Sequence, residues 1–471
     1  MTVPDLAALK ADLAGLRIED NPHLVRQKSR DFYWYSPVLK RRLEQVTGDL
    51  VVTPRDEAEV IRVLAAAYAH DVPVTPRGAG TGNYGQAMPL AGGIVLNLAE
   101  MTRVTAIGPG TVTAEAGAVL AAIDEETRAH AGQELRLHPS TYRTATIGGF
   151  VAGGSGGVGS IHWGGLRDLG NVLGLRVVTM ESAPRVLEIS GDDLGKVMHA
   201  YGTNGVITAV TMPLAPAHDW VDVIVGFDDF LVAARFCEAL GQQDGILLKQ
   251  LATVAAPLPY DYFLRHQPYL RRDQSVALIT VAPFAVSALE AFLRRWRGAE
   301  VVFRSDAADP ETLKSLPPVT ELSWNHTTLR GLRVDPSITY LQVLYPAPGR
   351  MERIAAMTAL FGDEVPGHLE FVRFDGALGC FGLPVVRYTT ERRLDEIIRM
   401  HEEGGCPIFN PHRYTLEEGG MKRSDPTQLA FKREADPKGL LNPGKMIAWE
   451  DPAFDFASDK VFLFSGLGEE G

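Results

Sequence analysis

Cysteine is scarce in this sequence and basic charge is in deficit. The 471 residues hold only three cysteines, Cys237, Cys380 and Cys406. They stand too far apart for a CxxC metal or redox pair, and their odd number fits reduced, buried thiols in a cytoplasmic chain rather than a disulfide framework. Lys and Arg total 46 against 58 Asp and Glu, a net charge of −12, so no overall positive field would gather phosphate backbones and nucleic acid is not an expected partner. No run reaches the roughly 20 apolar residues of a membrane span; the best candidate, 278–293, contains Pro283 and Glu290. The N-terminus lacks a basic start followed by an apolar core. Its Leu6, Leu9, Leu13 and Leu16 instead have the spacing of an amphipathic helix, not of a secretion signal. No fixed-period repeat is present, and only the final SGLGEEG is expected to fray.

What remains is an ordinary globular composition, 45% hydrophobic and 22% charged, long enough for about two to four domains. From Val51 onward short β-rich runs alternate with helices. Asp56 and Glu59 form a capping box ahead of Val60, Ile61, Leu64 and Tyr68, which predicts a helix to about His70. Strands are expected at 72–76, 93–98, 111–117, 172–178 and 205–214, with a second helix over 118–131. Beyond Pro213 and Pro216 glycine becomes sparse and longer β-rich runs appear at 221–227 and 275–284, followed by a helix over 391–403. The reading is an α+β chain with an N-terminal helical extension (1–42), a cofactor domain (43–216), a cap or substrate domain (217–415) and a C-terminal return to the first domain (416–471).

Two glycine-rich segments carry the chemistry. In RGAGTGNYG (77–85), Gly80, Gly82 and Gly85 have GxGxxG spacing, which in a dinucleotide fold opens a helix under the pyrophosphate. Here QAMPLAGGIVLNL follows, and Pro89, Gly92 and Gly93 forbid that helix. The loop still offers unobstructed backbone N–H groups, as an anion-binding nest does. The second segment, TIGGFVAGGSGGVGSIHWGG (146–165), gives up helix and strand propensity over two long turns. Its interleaved Ile147, Phe150, Val151, Val158, Ile161 and Trp163 mark a buried cleft rather than a polar linker.

The order TPRGAGTGNYG, GGIVLNL, TVTAEAG, PSTYRTATIGG, VLGLRVVTM, YGTNGVITAV and DPKGLLNPGK resembles the vanillyl-alcohol oxidase / p-cresol methylhydroxylase superfamily of FAD enzymes. It is most similar to the branch of D-lactate, glycolate and other D-2-hydroxyacid dehydrogenases. The resemblance covers about residues 48–216 and 404–446. It implies a two-lobed PCMH-type FAD-binding domain plus an α+β cap over the isoalloxazine ring. It implies that Arg77, Gly78, Ala79, Gly80, Thr81, Gly82 and Asn83 meet the FAD pyrophosphate, and that Pro139, Ser140, Thr146, Gly148 and Gly149 line the flavin and ribityl chain. Gly153, Gly154, Gly159 and Ser160 would continue that wall, with Ile207 at the adenine.

The sequence also departs from the family. Thr81 stands where many relatives carry the His that attaches FAD covalently, so the flavin is expected to be non-covalent. The family's metal-binding stretch has its nearest counterpart in PGHLEFVRFDG (366–376), with one His, and the C-terminal stretch reads NPHRYTLEEGG (410–420) without the usual glycines; no metal is expected. Alcohol oxidation needs a proton acceptor, suited to His, while a carboxylate substrate needs an Arg fork. The candidates are His412 as base, His326 of the WNHTT cluster (324–328) as its companion, and Arg387 and Tyr414 nearby. His138 and His162 flank the flavin loops and read equally as packing residues or as catalysts. The expected activity is oxidation of a small alcohol or 2-hydroxy acid to the carbonyl by hydride transfer to flavin N5, with an unidentified electron acceptor and no constraint on homo-oligomer formation. An aryl or polyol alcohol oxidase, or a flavin-carrying subunit of an electron-transfer complex, is the alternative.

Overall fold

The computed structural model describes residues 6–154, 156–419 and 426–456; the C-terminal SGLGEEG lies outside them. The strands Leu50–Thr53, Ile94–Asn97 and Val74–Arg77 are parallel and adjacent in that order. Parallel neighbours need a crossover, and the helix Glu57–Ala69 provides it, capped by the Asp56 carboxylate, which accepts the Glu59 N–H. Glu59 answers toward the Arg55 N–H and guanidinium rather than Asp56, and Val63 and Ala67 are buried more deeply than Ile61 and Tyr68. Leu50–Thr53 and Ile94–Asn97 are buried at every position, as a sheet covered on both faces requires.

Both ends of the chain close this sheet. Arg17–Glu19 adds an antiparallel edge to Leu50–Thr53, so the N-terminal extension is not purely helical. At the other edge the Val74 N–H donates to the Leu440 carbonyl (2.8 Å) and the Asn442 N–H to the Val74 carbonyl (2.8 Å). Exposed N–H and C=O groups are thereby covered on either side.

The second sheet is antiparallel, in the order Val104–Gly108, Thr111–Glu115, Val206–Pro216, Gly174–Val178 and Val186–Ser190, with Gln133–Leu135 on the far half of the long central strand. It shares one apolar core with the first. Four residues later Val221–Phe227 enters a seven-stranded antiparallel sheet that includes Ser275–Val281, Leu248–Val254 and His368–Phe374. Helices Phe230–Gly241, Arg350–Phe361 and Glu391–Glu403 pack into its separate core. The two halves are pinned at Glu134, whose Oε1 accepts from Lys249 Nζ and Trp220 Nε1, both at 2.7 Å. Cys237, Cys380 and Cys406 are buried thiols. Among the described residues no helix is long and apolar enough to cross a membrane.

One expectation is corrected. The second glycine-rich segment is not two long turns but contains the helices Ile147–Gly153 and Ser160–Trp163. Glycine serves packing there: a Cβ on Gly148 would stand 2.6 Å from the Ala116 Cβ and 2.9 Å from its carbonyl oxygen.

Candidate active site

Between the first two sheets and the cap lies an open cleft. Every residue from Arg77 to Asn83 lines it. Gly80 has φ +68°, a left-handed conformation that suits glycine. The amides of Ala79 to Asn83 donate to no acceptor among the described residues, although unpaired backbone N–H groups are rare in folded proteins. Five such donors in one loop are what a diphosphate needs.

The loop is held from outside. Arg77 turns back on it, its guanidinium donating to the carbonyls of Gly78 (2.9 Å) and Ala79 (3.0 Å), so its role is to shape the loop. The Phe32 N–H donates to the Gly82 carbonyl (2.7 Å). Asp31 accepts from the N–H groups of Tyr33 (2.9 Å) and Ala87 (3.2 Å); burial pushes its carboxyl upward and pushes the Lys445 ammonium opposite it downward. The N-terminal segment thus contributes Asp31, Phe32 and Tyr35 to the cleft. Sequence reasoning missed them; the aromatic run DFYWY (31–35) in an otherwise polar extension was the available signal.

Pro139, Ser140, Thr146, Gly148, Gly149, Gly153 and Ile207 also line the cleft. Thr146 caps the helix Ile147–Gly153, accepting the Gly149 N–H (3.4 Å), and a Cβ on Gly78 would stand 2.1 Å from its Oγ1. The two glycine segments therefore meet without side chains between them, and a Cβ on Gly153 would meet nothing within 4 Å. Gly154, Gly159 and Ser160 lie elsewhere. Gly154 and Ser160 face a neighbouring cavity behind Trp324, and Gly159 is packed on the Arg136 carbonyl while its N–H donates to the Lys249 carbonyl of the cap (2.7 Å).

The cap supplies the opposite wall through Trp324, Asn325, His326, Gln342 and Leu383. The helix Asn325–Val334 starts there, and Trp324 at its cap has φ 52° and ψ −144°, a conformation costing about 1–3 kcal/mol for a residue with a side chain. The Asn325 Oδ1 is buried with no partner among the described residues. Gln342 Oε1 accepts from the Tyr84 hydroxyl, which ties the wall to the first glycine loop. Burial, then the Arg330 and Arg333 guanidiniums, holds His326 down at about 4 against a contrary bond to the Glu321 carbonyl. His326 is therefore neutral at neutral pH, and Arg330 and Arg333, four and seven residues on, share its helix face.

The other candidates are not brought to the cleft. His412 is 3% exposed, with Nδ1 2.7 Å from the Ser36 hydroxyl and Nε2 3.1 Å from the Tyr340 carbonyl; burial holds it at about 3. Both ring nitrogens serve to join the N-terminal segment to the cap. Arg387 is exposed and donates to the Asp363 carbonyl (2.8 Å). Tyr414 packs beside Met88 and Leu90 with Lys445 over its ring. His138 is buried against Tyr142. No group of three or more His, Cys, Asp or Glu that could hold a metal occurs among the described residues.

Comparison with known proteins bears on this arrangement. Residues 48–185 match the FAD binding domain family. The chain is 30% identical over 437 residues to glycolate oxidase subunit GlcD of Bacillus subtilis, covering 86% of this chain and 90% of that protein. It is 30% identical to mitochondrial D-2-hydroxyglutarate dehydrogenase of Bos taurus and 33% identical to D-lactate dehydrogenase of Archaeoglobus fulgidus, over 44% and 39% of those proteins. An alkyldihydroxyacetonephosphate synthase structure shares the fold, with a TM-score of 0.69 at 16% identity, over 94% of this chain and 86% of that one.

Proposed function

Because the chain belongs to the FAD-linked oxidoreductases that include glycolate oxidase subunit GlcD, in the vanillyl-alcohol oxidase / p-cresol methylhydroxylase superfamily, we propose that it oxidises a small 2-hydroxy acid to the 2-oxo acid. The observation that carries the reading is a cleft with two unlike sides: five unpaired amides at Ala79–Asn83 on the floor, and a neutral His backed by two guanidiniums on the wall. The relatives supply the substrate class, since the activity each is named for concerns a hydroxy acid.

The floor residues fit FAD by their chemistry. Consecutive amides at Ala79–Asn83 would hold the pyrophosphate, and glycines at 78, 148, 149 and 153 would leave room along the rest of the cofactor. Bound FAD supplies the acceptor for the hydride, with its electron pair, that leaves C2 of the substrate. His326, neutral and lining the cleft, takes the hydroxyl proton on the ring nitrogen that carries none. Asn325 Oδ1, with no partner among the described residues, would accept a hydrogen bond from a donor that enters the cleft. The positive field of Arg330 and Arg333 favours the substrate carboxylate, and that anion in turn raises the His326 pKa toward a useful base. His412, Arg387 and Tyr414 have no part in this reading.

Anaerobic addition of 2-hydroxy acids, aryl alcohols and polyols to the yellow protein tests it. Bleaching by a 2-hydroxy acid is expected. Bleaching by an aryl alcohol or polyol alone would replace the substrate class, and persistent yellow with every compound would favour a flavin-carrying subunit. Thr81 in place of an attaching His predicts that acid precipitation releases all the colour into the supernatant; colour in the pellet would refute non-covalent binding.

A further inference from the structure

Glu370 is fully buried in the cap, on the strand His368–Phe374, and takes no part in the chemistry above. Its Oε1 accepts the Trp324 backbone N–H at 2.5 Å. Its Oε2 accepts from Gln250 Nε2 at 2.6 Å, and Gln250 Oε1 accepts from the Trp324 indole Nε1–H at 3.1 Å. These three bonds close a ring that begins and ends on the same tryptophan. The His368 Nε2 lies 2.7 Å from the Glu370 Oε1 and backs it from the same strand.

We propose that Glu370, with Gln250, is the positioning residue of the cleft wall: the pair grips Trp324 by both backbone and indole and so aims Asn325 and His326 into the cleft. The inference rests on the proposed function only in taking this wall as the one that meets substrate. The wall needs an external hold, because Trp324 has a left-handed backbone and the helix Asn325–Val334 has no side-chain cap; a conformation this unfavourable persists only where its surroundings over-determine it. The grip comes from the rigid part of the cap. Gln250 and Glu370 sit on neighbouring strands in the register Ala252↔Glu370, and Leu248–Val254 is buried at every position. On its far side the indole rests on Gly156, where a Cβ would stand 3.3 Å from the ring. A carboxylate suits the position because three N–H groups converge on its two oxygens, whereas an amide would turn an N–H toward one of them.

The donor pattern gives a test by exchange. Glu370→Gln sets an amide against a donor and breaks the ring. The double variant Q250E/E370Q rebuilds it in reverse. The amide now at position 370 would donate to the carboxylate now at position 250 and accept the Trp324 N–H, while that carboxylate would also accept the indole N–H. Wild type, Trp324→Phe, Glu370→Gln and Q250E/E370Q are each loaded with FAD. The near-UV circular dichroism band of Trp324, identified by difference from Trp324→Phe, and the visible circular dichroism of the flavin are then recorded. Glu370→Gln is expected to lose more than half of the Trp324 band and to alter the flavin band while keeping its FAD, and the double variant to regain both. An unchanged Trp324 band in Glu370→Gln, or a double variant no better than the single, overturns the proposal. Should Glu370→Gln not fold, recovery of a folded, FAD-loaded protein with a wild-type Trp324 band in the double variant supports it, and failure to recover overturns it. No substrate enters these measurements, so they stand apart from the outcome of the bleaching panel.

Discussion

The floor and the wall of the cleft are built by opposite means. On the floor, function resides in the backbone and in the absence of side chains: amides with no acceptor among the described residues at Ala79–Asn83, and glycines at 78, 80, 82 and 148 where a Cβ would strike a neighbour. On the wall it resides in side chains, Trp324, Asn325, His326 and Gln342; Trp324 is bonded to Gln250 and Glu370 of the cap sheet, and Gln342 accepts from Tyr84 of the first glycine loop. A floor of this kind suits a constant chemical group such as a diphosphate. A wall of this kind can change its substrate by exchanging a few side chains. The two should therefore fail differently: a lesion in the floor removes the cofactor, and a lesion in the wall leaves a loaded protein that reacts poorly.

The largest effect is expected from the floor. Gly148→Val forces a branched side chain into the Ala116 carbonyl and Cβ; because Ala116 is held just past the strand Thr111–Glu115, its N–H donating to the Thr208 carbonyl of the second sheet (2.9 Å), the helix Ile147–Gly153 must move, at a cost of about 1–3 kcal/mol of overpacking. The flavin-to-protein ratio should fall close to zero at ordinary FAD concentrations. A variant that purifies as yellow as the parent would show that the floor tolerates displacement, and the contrast with the wall would weaken.

The wall should give the second effect. His326→Ala should slow flavin reduction about 10²–10⁴-fold, the usual cost of losing a general base, with FAD content unchanged. His412→Ala provides the control: it severs the links to Ser36 and Tyr340, costing about 1–3 kcal/mol of stability for buried groups left unpaired, while reduction stays within a few-fold of the parent. Stopped-flow reduction with an active 2-hydroxy acid separates the two. If His412→Ala reacts as slowly as His326→Ala, the assignment of roles is reversed.

The same contrast explains what could be read from the sequence. A floor made of missing side chains leaves a dense trace, and the glycines at 78, 80, 82, 148, 149 and 153 pointed to the cleft they line. Strongly periodic elements, such as the helix Glu391–Glu403, also showed plainly. A wall made of single side chains on separate elements leaves almost none. His326 stood out only as part of a polar cluster, and His412 drew more attention because it sat in a familiar stretch, although both its ring nitrogens are engaged in joining segments. Gln342 carries no local pattern, and Asp31 is marked only by the aromatic run that follows it; they reach the cleft through bonds to Tyr84 and Ala87 that only the tertiary fold creates. The helices within 146–165 were missed because glycine's poor propensity is overridden by close packing on Ala116.

The smallest effect concerns the seam beside the wall, and its sign is fixed by proton linkage. Burial holds His412 at about 3 in the folded protein, against about 6.5 for a histidine in the unfolded chain. Between these values the unfolded chain binds a proton that the folded one refuses, so stability rises with pH there: the His412 contribution is fully present above about pH 6.5 and is lost as the pH falls toward about 3. His412→Asn cannot titrate, so its stability lacks this slope, whatever constant loss it suffers from altered bonds to Ser36 and Tyr340. The gap in unfolding free energy between parent and variant should therefore narrow on acidification, by up to about 1.4 kcal/mol per pH unit below about pH 6.5. Urea unfolding of both FAD-loaded proteins over that range measures it. A gap that stays constant would mean that His412 takes up its proton in the folded state as readily as in the unfolded one, and that the seam it sits in is open to water rather than part of the buried frame behind the wall.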